Sequence, residues 1–245
     1  MNQGKLYIAV VFTLALLACN KPSAPDCFKR IGKTITVERS LEPFDTVISD
    51  APVELTIRTG NVYKAEITCG ENLEQKIETN ILNRKLILEN KNTCNFVRGY
   101  KHVIYVTITA PRYKFVVANT VGNIYTAEDF AQDTLVMRTE AGDLHIKGMF
   151  NEVRTSSHGN GNVYFTGKTN NLQSYLNGTN YLYADKADIK DYVFIETISI
   201  ADAFVKAPDG GALEYNLWKS GSIFYTGNPN RVEGKISGNG KVVRK

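Results

Sequence analysis

The stretch HGNGNVYFTG, His158 to Gly167, joins turn-forming glycine and asparagine residues to strand-forming residues and ends at another glycine. Close variants recur through the second half of the chain: VGNIYTA from Val121, AGDLHIKG from Ala141, GTNYLYAD from Gly178, ADAFVKA from Ala201, SGSIFYTG from Ser220 and NGKVVRK from Asn239. One turn residue marks each unit, and these markers are Asn123, Asp143, Asn162, Asn180, Asp202, Ser222 and Lys241. The markers lie about 20 residues apart, and a regular interval of this size predicts a solenoid.

Each unit carries a second, weaker strand signal roughly ten residues after its marker. These segments are 135–137, 153–155, 172–175, 193–195, 213–215 and 232–236. Two short strands per unit, with Gly, Asn and Asp at the corners, predict an all-β parallel solenoid of seven rungs spanning roughly 34 Å. An antiparallel sandwich is the alternative, because turn signals every 8 to 12 residues also suit that fold.

The alternation of side chains along each strand predicts which residues face the core. The inward columns are Ile124, Leu144, Val163, Tyr181, Ala203, Ile223 and Val242, and Thr126, Ile146, Phe165, Tyr183, Val205, Tyr225 and Arg244. The outward columns are Tyr125, His145, Tyr164, Leu182, Phe204, Phe224 and Val243, and Ala127, Lys147, Thr166, Ala184, Lys206 and Thr226. Arg244, with Lys245 beside it, is expected to cap the last rung. The unit at Gly178 also allows a frame in which Tyr181 and Tyr183 point outward, and the sequence leaves this choice open.

The outward aromatic column is the candidate binding surface. Tyr125, Tyr164, Phe204 and Phe224 would form a stripe, flanked by Lys147 and Lys206, that could contact sugar rings or an extended partner. A structural role is the alternative, since stacked aromatic residues also stabilise neighbouring strands.

Residues 33–110 are rich in β-strand signals but lack the repeat. Five segments alternate over several residues, and TGN at 59–61 and LNR at 82–84 are predicted hairpin turns. We expect this portion to begin the stack, cover its open edge and form one continuous body with the repeats of residues 111–245.

The N-terminus has the features of an export signal. Lys5 precedes a largely apolar run from Leu6 to Ala18, which is too short to span a membrane as a helix. Leu16-Leu17-Ala18-Cys19 resembles a bacterial lipobox, which implies removal of residues 1–18 and attachment of acyl chains such as palmitate to Cys19. Residues 19–32 would then tether the fold to the cell envelope, at the outer membrane, on a side that the sequence leaves open. A simple secretory signal peptide is the alternative.

Export leaves an odd number of further cysteines, Cys27, Cys69 and Cys94, so at most one intramolecular disulfide can form, with three possible pairings. The histidines His102, His145 and His158 are neither clustered nor spaced with the cysteines as zinc ligands. We therefore expect no metal and no cofactor.

Several stretches resemble the head GIN domain family. This family is described as an auto-transporter adhesin and is common among the lipoproteins of Bacteroidetes. The likeness lies in SDAPVELTIRTG at 49–60, GENLEQKIETNILNRKLILEN at 70–90, CNFVRGYK at 94–101 and SGSIFYTGNPNRVEGKISGNGKV at 220–242. This resemblance implies a right-handed parallel β-helix, an envelope location and an adhesin-like function without a reaction. The likeness at CNFVRGYK, with Cys27 just before the fold, also implies a Cys27–Cys94 disulfide that leaves Cys69 free.

Composition and motifs narrow the function classes. The chain has 43% hydrophobic residues and a net charge of +4 carried by scattered Lys and Arg, which indicates a globular protein without a nucleic-acid surface. Asp129, Asp133, Glu140 and Asp143 are only loosely grouped, and no nucleophile, zinc-protease or phosphate-loop motif occurs. The sequence favours a non-catalytic binding module for glycan or envelope-protein ligands. A structural spacer and a carbohydrate-active β-helix enzyme are the alternatives.

The lipobox interpretation predicts that Cys19→Ala releases the protein from membranes, because acylation of Cys19 would supply the membrane attachment. Fractionation of cells expressing each form measures this. Continued partitioning of the variant with membranes would contradict the assignment.

Overall fold

The structure is a computed structural model that describes residues 31–93 and 102–245. The predicted signal peptide, Cys19, Cys27 and Cys94 lie outside these residues. Strands dominate the described part, with one short helix, α1 (Glu71–Glu74). None of its helices is both long and apolar enough to cross a membrane.

The strands are β1 (Thr34–Ser40), β2 (Thr46–Ser49), β3 (Glu54–Thr59), β4 (Lys64–Gly70), β5 (Ile77–Leu82), β6 (Lys85–Asn90), β7 (Tyr105–Ala110), β8 (Phe115–Ala118), β9 (Ile124–Thr126), β10 (Ala131–Thr139), β11 (Leu144–Ile146), β12 (Met149–Gly159), β13 (Val163–Phe165), β14 (Lys168–Gly178), β15 (Leu182–Ala184), β16 (Asp188–Thr197), β17 (Ala203–Lys206), β18 (Ala212–Leu217), β19 (Ile223–Thr226), β20 (Arg231–Ile236) and β21 (Val242–Arg244).

The strands form two sheets that face each other across the core. Sheet A has the order β1-β4-β7-β3-β9-β11-β13-β15-β17-β19-β21, and sheet B has the order β20-β18-β16-β14-β12-β10-β8-β2-β6-β5. From β8 onward the chain alternates between the sheets, and each strand pairs in parallel with the corresponding strand of the next coil. This pairing confirms the predicted parallel β-solenoid and excludes the antiparallel sandwich.

The first strands extend the stack in an order that differs from the chain order. β3 pairs in parallel with both β7 and β9, and β2 pairs in parallel with both β6 and β8. The coil formed by β2 and β3 therefore lies between the coil of β6 and β7 and the coil of β8 and β9. The LNR turn joins the antiparallel pair β5–β6 as predicted. The TGN prediction is wrong, because β7 lies between β3 and β4.

Antiparallel strands close the N-terminal end of the solenoid. β1 pairs with β4 at the edge of sheet A, and β5 pairs with β6 at the edge of sheet B. Arg39 connects the two edges: its guanidinium donates to the Ile77 carbonyl at 2.6 Å and forms an ion pair with Glu74. The α1 residue Leu73 and Ile77 are buried beneath this contact. The end is thus covered by polar contacts over an apolar layer.

Most of the predicted inward columns are buried, including Ile124, Leu144, Val163 and Phe165 at 0% exposure. Arg244 keeps the inward register, because it pairs with Tyr225, which in turn pairs with the buried Val205; it is exposed because it lies on the last coil. The outward assignment fails for Ala127, which is buried just after β9 ends.

The unit at Gly178 follows the second frame. Leu182 pairs with Val163, so Leu182 and Ala184 face the core while Tyr181 and Tyr183 face outward. The predicted inward positions of Tyr181 and Tyr183, and the outward positions of Leu182 and Ala184, are therefore wrong.

The position of Asn180 at a corner otherwise occupied by glycine accounts for this shift. A Cβ on Gly142 would overlap the carbonyl oxygen of Gly122, and a Cβ on Gly161 would overlap that of Gly142, so the coil backbones approach each other closely there. Because Gly159 pairs with Gly178, Asn180 occupies the position that corresponds to Gly161. Asn180 is fully buried there, and its Oδ1 has no hydrogen-bond partner within the described part of the chain. The asparagine predicted to be the marker of its unit is thus a corner residue.

A ladder of polar side chains runs beside this corner, and we call it the polar ladder. The side-chain oxygen of each member accepts the backbone N–H of the next coil, at 3.0 Å from Asp143 to Asn123 and 2.8 Å from Asn162 to Asp143. Asn162 accepts from Tyr181 at 2.9 Å, and the pattern resumes from Ser222 to Asp202 at 2.8 Å. These bonds satisfy amides at the turns, where the strand pairing has ended.

We predict that Asn162→Ala lowers the free energy of unfolding by about 1 kcal/mol, because the Tyr181 N–H loses its acceptor and the Asp143 carboxylate loses the part-buried bond from the Asn162 amide. Asn170→Ala is the matched control: Asn170 bonds only the Asn151 side chain in an exposed position, and a change within about 0.5 kcal/mol is expected. Urea denaturation measures both, and equal values for the two variants would contradict a structural role for the polar ladder.

Candidate functional site

Six aromatic rings stack along the outer face of sheet A, and we call them the aromatic ladder. Consecutive ring centroids lie 4.7–5.6 Å apart, with interplanar angles between 3° and 14°. Strand register places them, because each ring residue pairs with the ring residue of the next coil. The members are Tyr125, His145, Tyr164, Tyr183, Phe204 and Phe224.

The structure joins the four aromatic residues proposed for binding into one row, and it adds two rings. His145 fills the gap between Tyr125 and Tyr164, and Tyr183 fills the gap between Tyr164 and Phe204. His145 was in the predicted outward column, while the role of Tyr183 depended on the second frame of its unit. The sequence signal that could have identified Tyr183 as an outward ring is the occurrence of tyrosine at the alternate positions 181 and 183.

Ring stacking determines which atoms of the ladder a ligand can reach. The faces of the inner rings are occupied by neighbouring rings at 5.6 Å or less, and the ring residues are half-buried. Ring edges and the tyrosine hydroxyls therefore form the outer surface. Aromatic edges carry partial positive charge, which favours contact with oxygen atoms. Stacking of a sugar ring on an inner aromatic face is not available in this arrangement.

The lysine residues take different positions around the ladder. The Lys147 ammonium pairs with Glu128 at 2.7 Å, and Lys206 is exposed without an ion pair in the described residues. Lys245 was predicted only as part of the end cap and not as a neighbour of the rings, and its ammonium lies 4.6 Å from the Phe224 ring centroid and 4.9 Å from that of Phe204. Lys245 thus contributes a cation–π contact at the C-terminal end of the ladder.

Two grooves flank the first three rings. One, of about 380 Å³, is lined by Tyr125, His145 and Tyr164 together with Glu128 and Lys147. The other, of about 530 Å³, contains polar-ladder side chains and the carboxylate of Glu54, with His102 and Val103 on its wall. The Asn123 amide joins the second groove to the ladder, since it donates to Glu54 at 3.2 Å and to the Tyr125 hydroxyl at 3.2 Å.

The ladder carries little charge of its own at neutral pH. Burial raises the pKa of Tyr125 and Tyr164, so their hydroxyls remain protonated. Burial also lowers the pKa of His145, and this effect exceeds the opposite influence of Asp143 and Glu54. The imidazole between two tyrosine rings is therefore neutral. The face offers hydroxyl donors and acceptors beside carboxylate and amide groups.

The carboxylates that are loosely grouped in the sequence are engaged in separate local contacts. Asp143 accepts from Asn162, Glu140 pairs with Arg138, and Asp133 accepts from a threonine hydroxyl at 3.0 Å. Asp129 is exposed in a turn. Within residues 31–93 and 102–245, no three potential metal-ligating side chains come together. The one cysteine described, Cys69, is a buried free thiol whose pKa is raised by burial.

The outer face of sheet B has a different character. Its ion pair between Arg154 and Glu152, at 2.8 Å, and the 2.8 Å bond from Tyr192 to Glu214 form local polar contacts. Tyr175 makes a tilted contact with His158, with ring planes at 47°. The continuous ring stack therefore distinguishes sheet A.

Comparisons with known proteins agree with this architecture. The family model described as "Putative auto-transporter adhesin, head GIN domain" matches residues 43–229. No curated protein matches the chain.

Similar folds occur among solved structures. A "putative adhesin" from Bacteroides fragilis has a TM-score of 0.70 and 18% identity, with 87% of this chain and 97% of that chain covered. A "putative adhesin" from Parabacteroides distasonis has a TM-score of 0.66, 15% identity and coverage of 87% and 98%. A "putative lipid binding protein" from the same species has a TM-score of 0.61, 15% identity and coverage of 87% and 97%. At these identities the similarity shows a shared fold.

The burial of His145 leads to a pH prediction. Its pKa is lower in the folded chain than the ordinary value of 6.5, so its contribution to stability is complete above that value and is lost as the pH falls below it. His145→Phe retains the ring but does not titrate. We expect the free energy of unfolding of the wild type to fall relative to that of the variant between about pH 7.5 and about pH 5. Urea titrations at both pH values measure this, and a pH-independent difference would contradict it.

Proposed function

We propose, from the premise that this chain belongs to the head GIN domain family of adhesins, that it is a non-catalytic binding module of the bacterial cell envelope. Its ligand would be an extended glycan that lies along the outer face of sheet A. The observation that carries this proposal is the aromatic ladder, which presents one ring edge at every coil over six coils.

The geometry of the ladder suits a repetitive ligand. Strand spacing repeats equivalent side chains at intervals of about 4.8 Å along the solenoid axis. An elongated polymer can meet the same type of group at each interval, whereas a compact ligand would use only one or two. Each contact adds a small favourable free energy, so affinity would grow with the length of polymer bound.

The chemistry beside the rings suits sugar hydroxyls. Tyr125, Tyr164 and Tyr183 provide hydroxyls, while Glu54 and Asp143 provide carboxylates and Asn123 an amide in the adjoining groove. Such groups hydrogen-bond to the hydroxyls of a glycan, and the ring edges contact its oxygen atoms. These groups are half-buried at the surface, which favours a shallow, extended contact.

The interior of the solenoid is filled by protein side chains. Leu144, Val163 and Phe165 lie between the sheets at 0% exposure. The lipid binding ascribed to one structural neighbour therefore has no matching space at these residues, and the proposed ligand contact lies on the outer surface.

The envelope location forms a separate part of the proposal. The lipobox at Cys19 would provide acyl chains, and the tether of residues 19–32 would connect them to the first strand. In this arrangement the N-terminal end of the solenoid lies nearer the membrane. The aromatic ladder then extends away from the membrane, where a glycan polymer can reach it.

A structural spacer is the second candidate function. The same face-to-face ring contacts support it, because stacking alone stabilises adjacent coils. The two functions differ in their response to substitution: a spacer loses stability when rings are removed, whereas a binding module also loses affinity for its ligand.

The test combines a glycan array with substitutions in the ladder. Glycans retained by the wild type are titrated against Tyr164→Ser/Phe204→Ser. At about 1 kcal/mol for each aromatic contact, we expect roughly 30-fold weaker binding. The matched control, Tyr175→Ser/Phe194→Ser, removes two aromatic residues from the outer face of sheet B and should leave affinity within about twofold.

Circular dichroism and urea denaturation establish that each double variant is folded at the assay temperature. Unchanged affinity in the folded ladder variant, or equal losses in both variants, would contradict the proposed site. Absence of any retained glycan would favour the spacer.

A further inference from the structure

The two ends of the solenoid differ in how they are closed. At the N-terminal end, antiparallel strands β1 and β5 and the Arg39 contacts cover the core. At the C-terminal end, β20 is the edge strand of sheet B and β21 is the edge strand of sheet A. Repeat proteins need a covering structure at each end because the last coil would otherwise expose its inner face.

The last coil does expose its inner face in the described residues. Val232 and Ile236 pair with Leu213 and Leu217 of the preceding coil, and all four point toward the core. Leu213 and Leu217 are 0% and 1% exposed, whereas Val232 and Ile236 are 36% and 49% exposed. The change from buried to exposed occurs within one coil and leaves an apolar edge.

The backbone of β20 also has unpaired groups on this edge. Ser237 donates its N–H to the Leu217 carbonyl at 2.8 Å, and Arg231 donates to Gly211 at 3.3 Å. The N–H and C=O groups of successive residues in a strand point in opposite directions. Because Arg231 and Ser237 point toward β18, the N–H and C=O groups of Val232, Gly234 and Ile236 point away from it. A second strand could therefore form a hydrogen-bonded ladder with these three residues.

We propose that β20 is a self-association edge, on which two copies of this chain pair end to end as a symmetric antiparallel dimer. The favoured register centres on Gly234, so that Val232 of one copy lies opposite Ile236 of the other. In the same register Glu233 lies opposite Lys235, twice across the two-fold axis. Apolar side chains then meet on the core side, and opposite charges meet on the outer side.

A second copy is chosen as the partner because β20 is complementary to itself in the register centred on Gly234. Self-pairing in the neighbouring registers is less favourable. A shift that centres the pair on Glu233 places two glutamates opposite each other and Arg231 opposite Lys235. A shift that centres it on Val232 uses Arg231, which already pairs with Glu214 and with Glu233 of its own chain, and leaves Ile236 uncovered. Only the Gly234 register matches both the charges and the apolar residues.

The dimer would extend the proposed binding surface without depending on it. The aromatic ladder runs toward this end of sheet A, so two copies would place two ladders on one elongated body. The proposed contact is made by one six-residue strand, fewer residues than a standard interface of ~800 Å² per partner contains, so we expect a dissociation constant in the micromolar range.

Disulfide cross-linking tests the register directly. In the full chain, Glu233→Cys and Lys235→Cys are made singly, purified in detergent, and oxidised alone or as a mixture. Opposite positions in the proposed register are close enough for a disulfide between the two variants. We expect the mixture to give a cross-linked dimer above the background of the wild type, while each variant alone does not. A dimer from Glu233→Cys alone, or none from the mixture, would overturn the register.

A charge exchange tests the association itself. Sedimentation equilibrium of the full chain in density-matched detergent should show a monomer–dimer equilibrium. Glu233→Lys and Lys235→Glu should each weaken it roughly tenfold, and the double exchange should restore it. Lys190→Glu, on the outer face of sheet B away from the edge, is the control and should have no effect. The proposal would be overturned if the chain stays monomeric, a result that would leave the edge to a strand of another protein. It would also be overturned if the single exchanges do not change the monomer–dimer equilibrium.

Discussion

Successive coil backbones approach each other closely at the corner formed by Gly122, Gly142 and Gly161, and glycine fits this approach without displacing its neighbours. An added Cβ on either of the later two glycines would overlap the carbonyl oxygen of the coil below. This approach holds parallel strands in register, so equivalent residues lie directly above one another. The buried columns, the polar ladder and the aromatic ladder are three consequences of that single repeat.

Much of the solenoid could be predicted because its local chemistry repeats. Glycine at the corner and alternating residues in the strand identify the coil length and most of the core. Asn180 is an exception, because asparagine suits both the marker position and a tight corner, and only the pairing of Gly159 with Gly178 identifies its position. The insertion of β2 and β3 between later strands could not be predicted, since those pairings are non-local and carry no repeat signal.

The candidate site shows the same division between local and non-local information. Alternation placed Tyr125, Tyr164, Phe204 and Phe224 on one outer face, and the structure places them there in one row. Sequence could not show that the rings would stack on one another and leave their edges outward. That geometry changes the chemistry of the surface, because ligand contact shifts from ring faces to ring edges, tyrosine hydroxyls and the neighbouring carboxylates.

Ligand contact on the outer face of sheet A can be measured by hydroxyl-radical footprinting of the chain, alone and saturated with a glycan retained on an array. This method is the most direct because aromatic side chains report their own solvent contact. We predict protection of Tyr125, Tyr164, Tyr183 and Phe204, with Tyr175 and Phe194 unchanged. Protection confined to Tyr175 and Phe194, or spread equally over both sheets, would contradict the proposed contact.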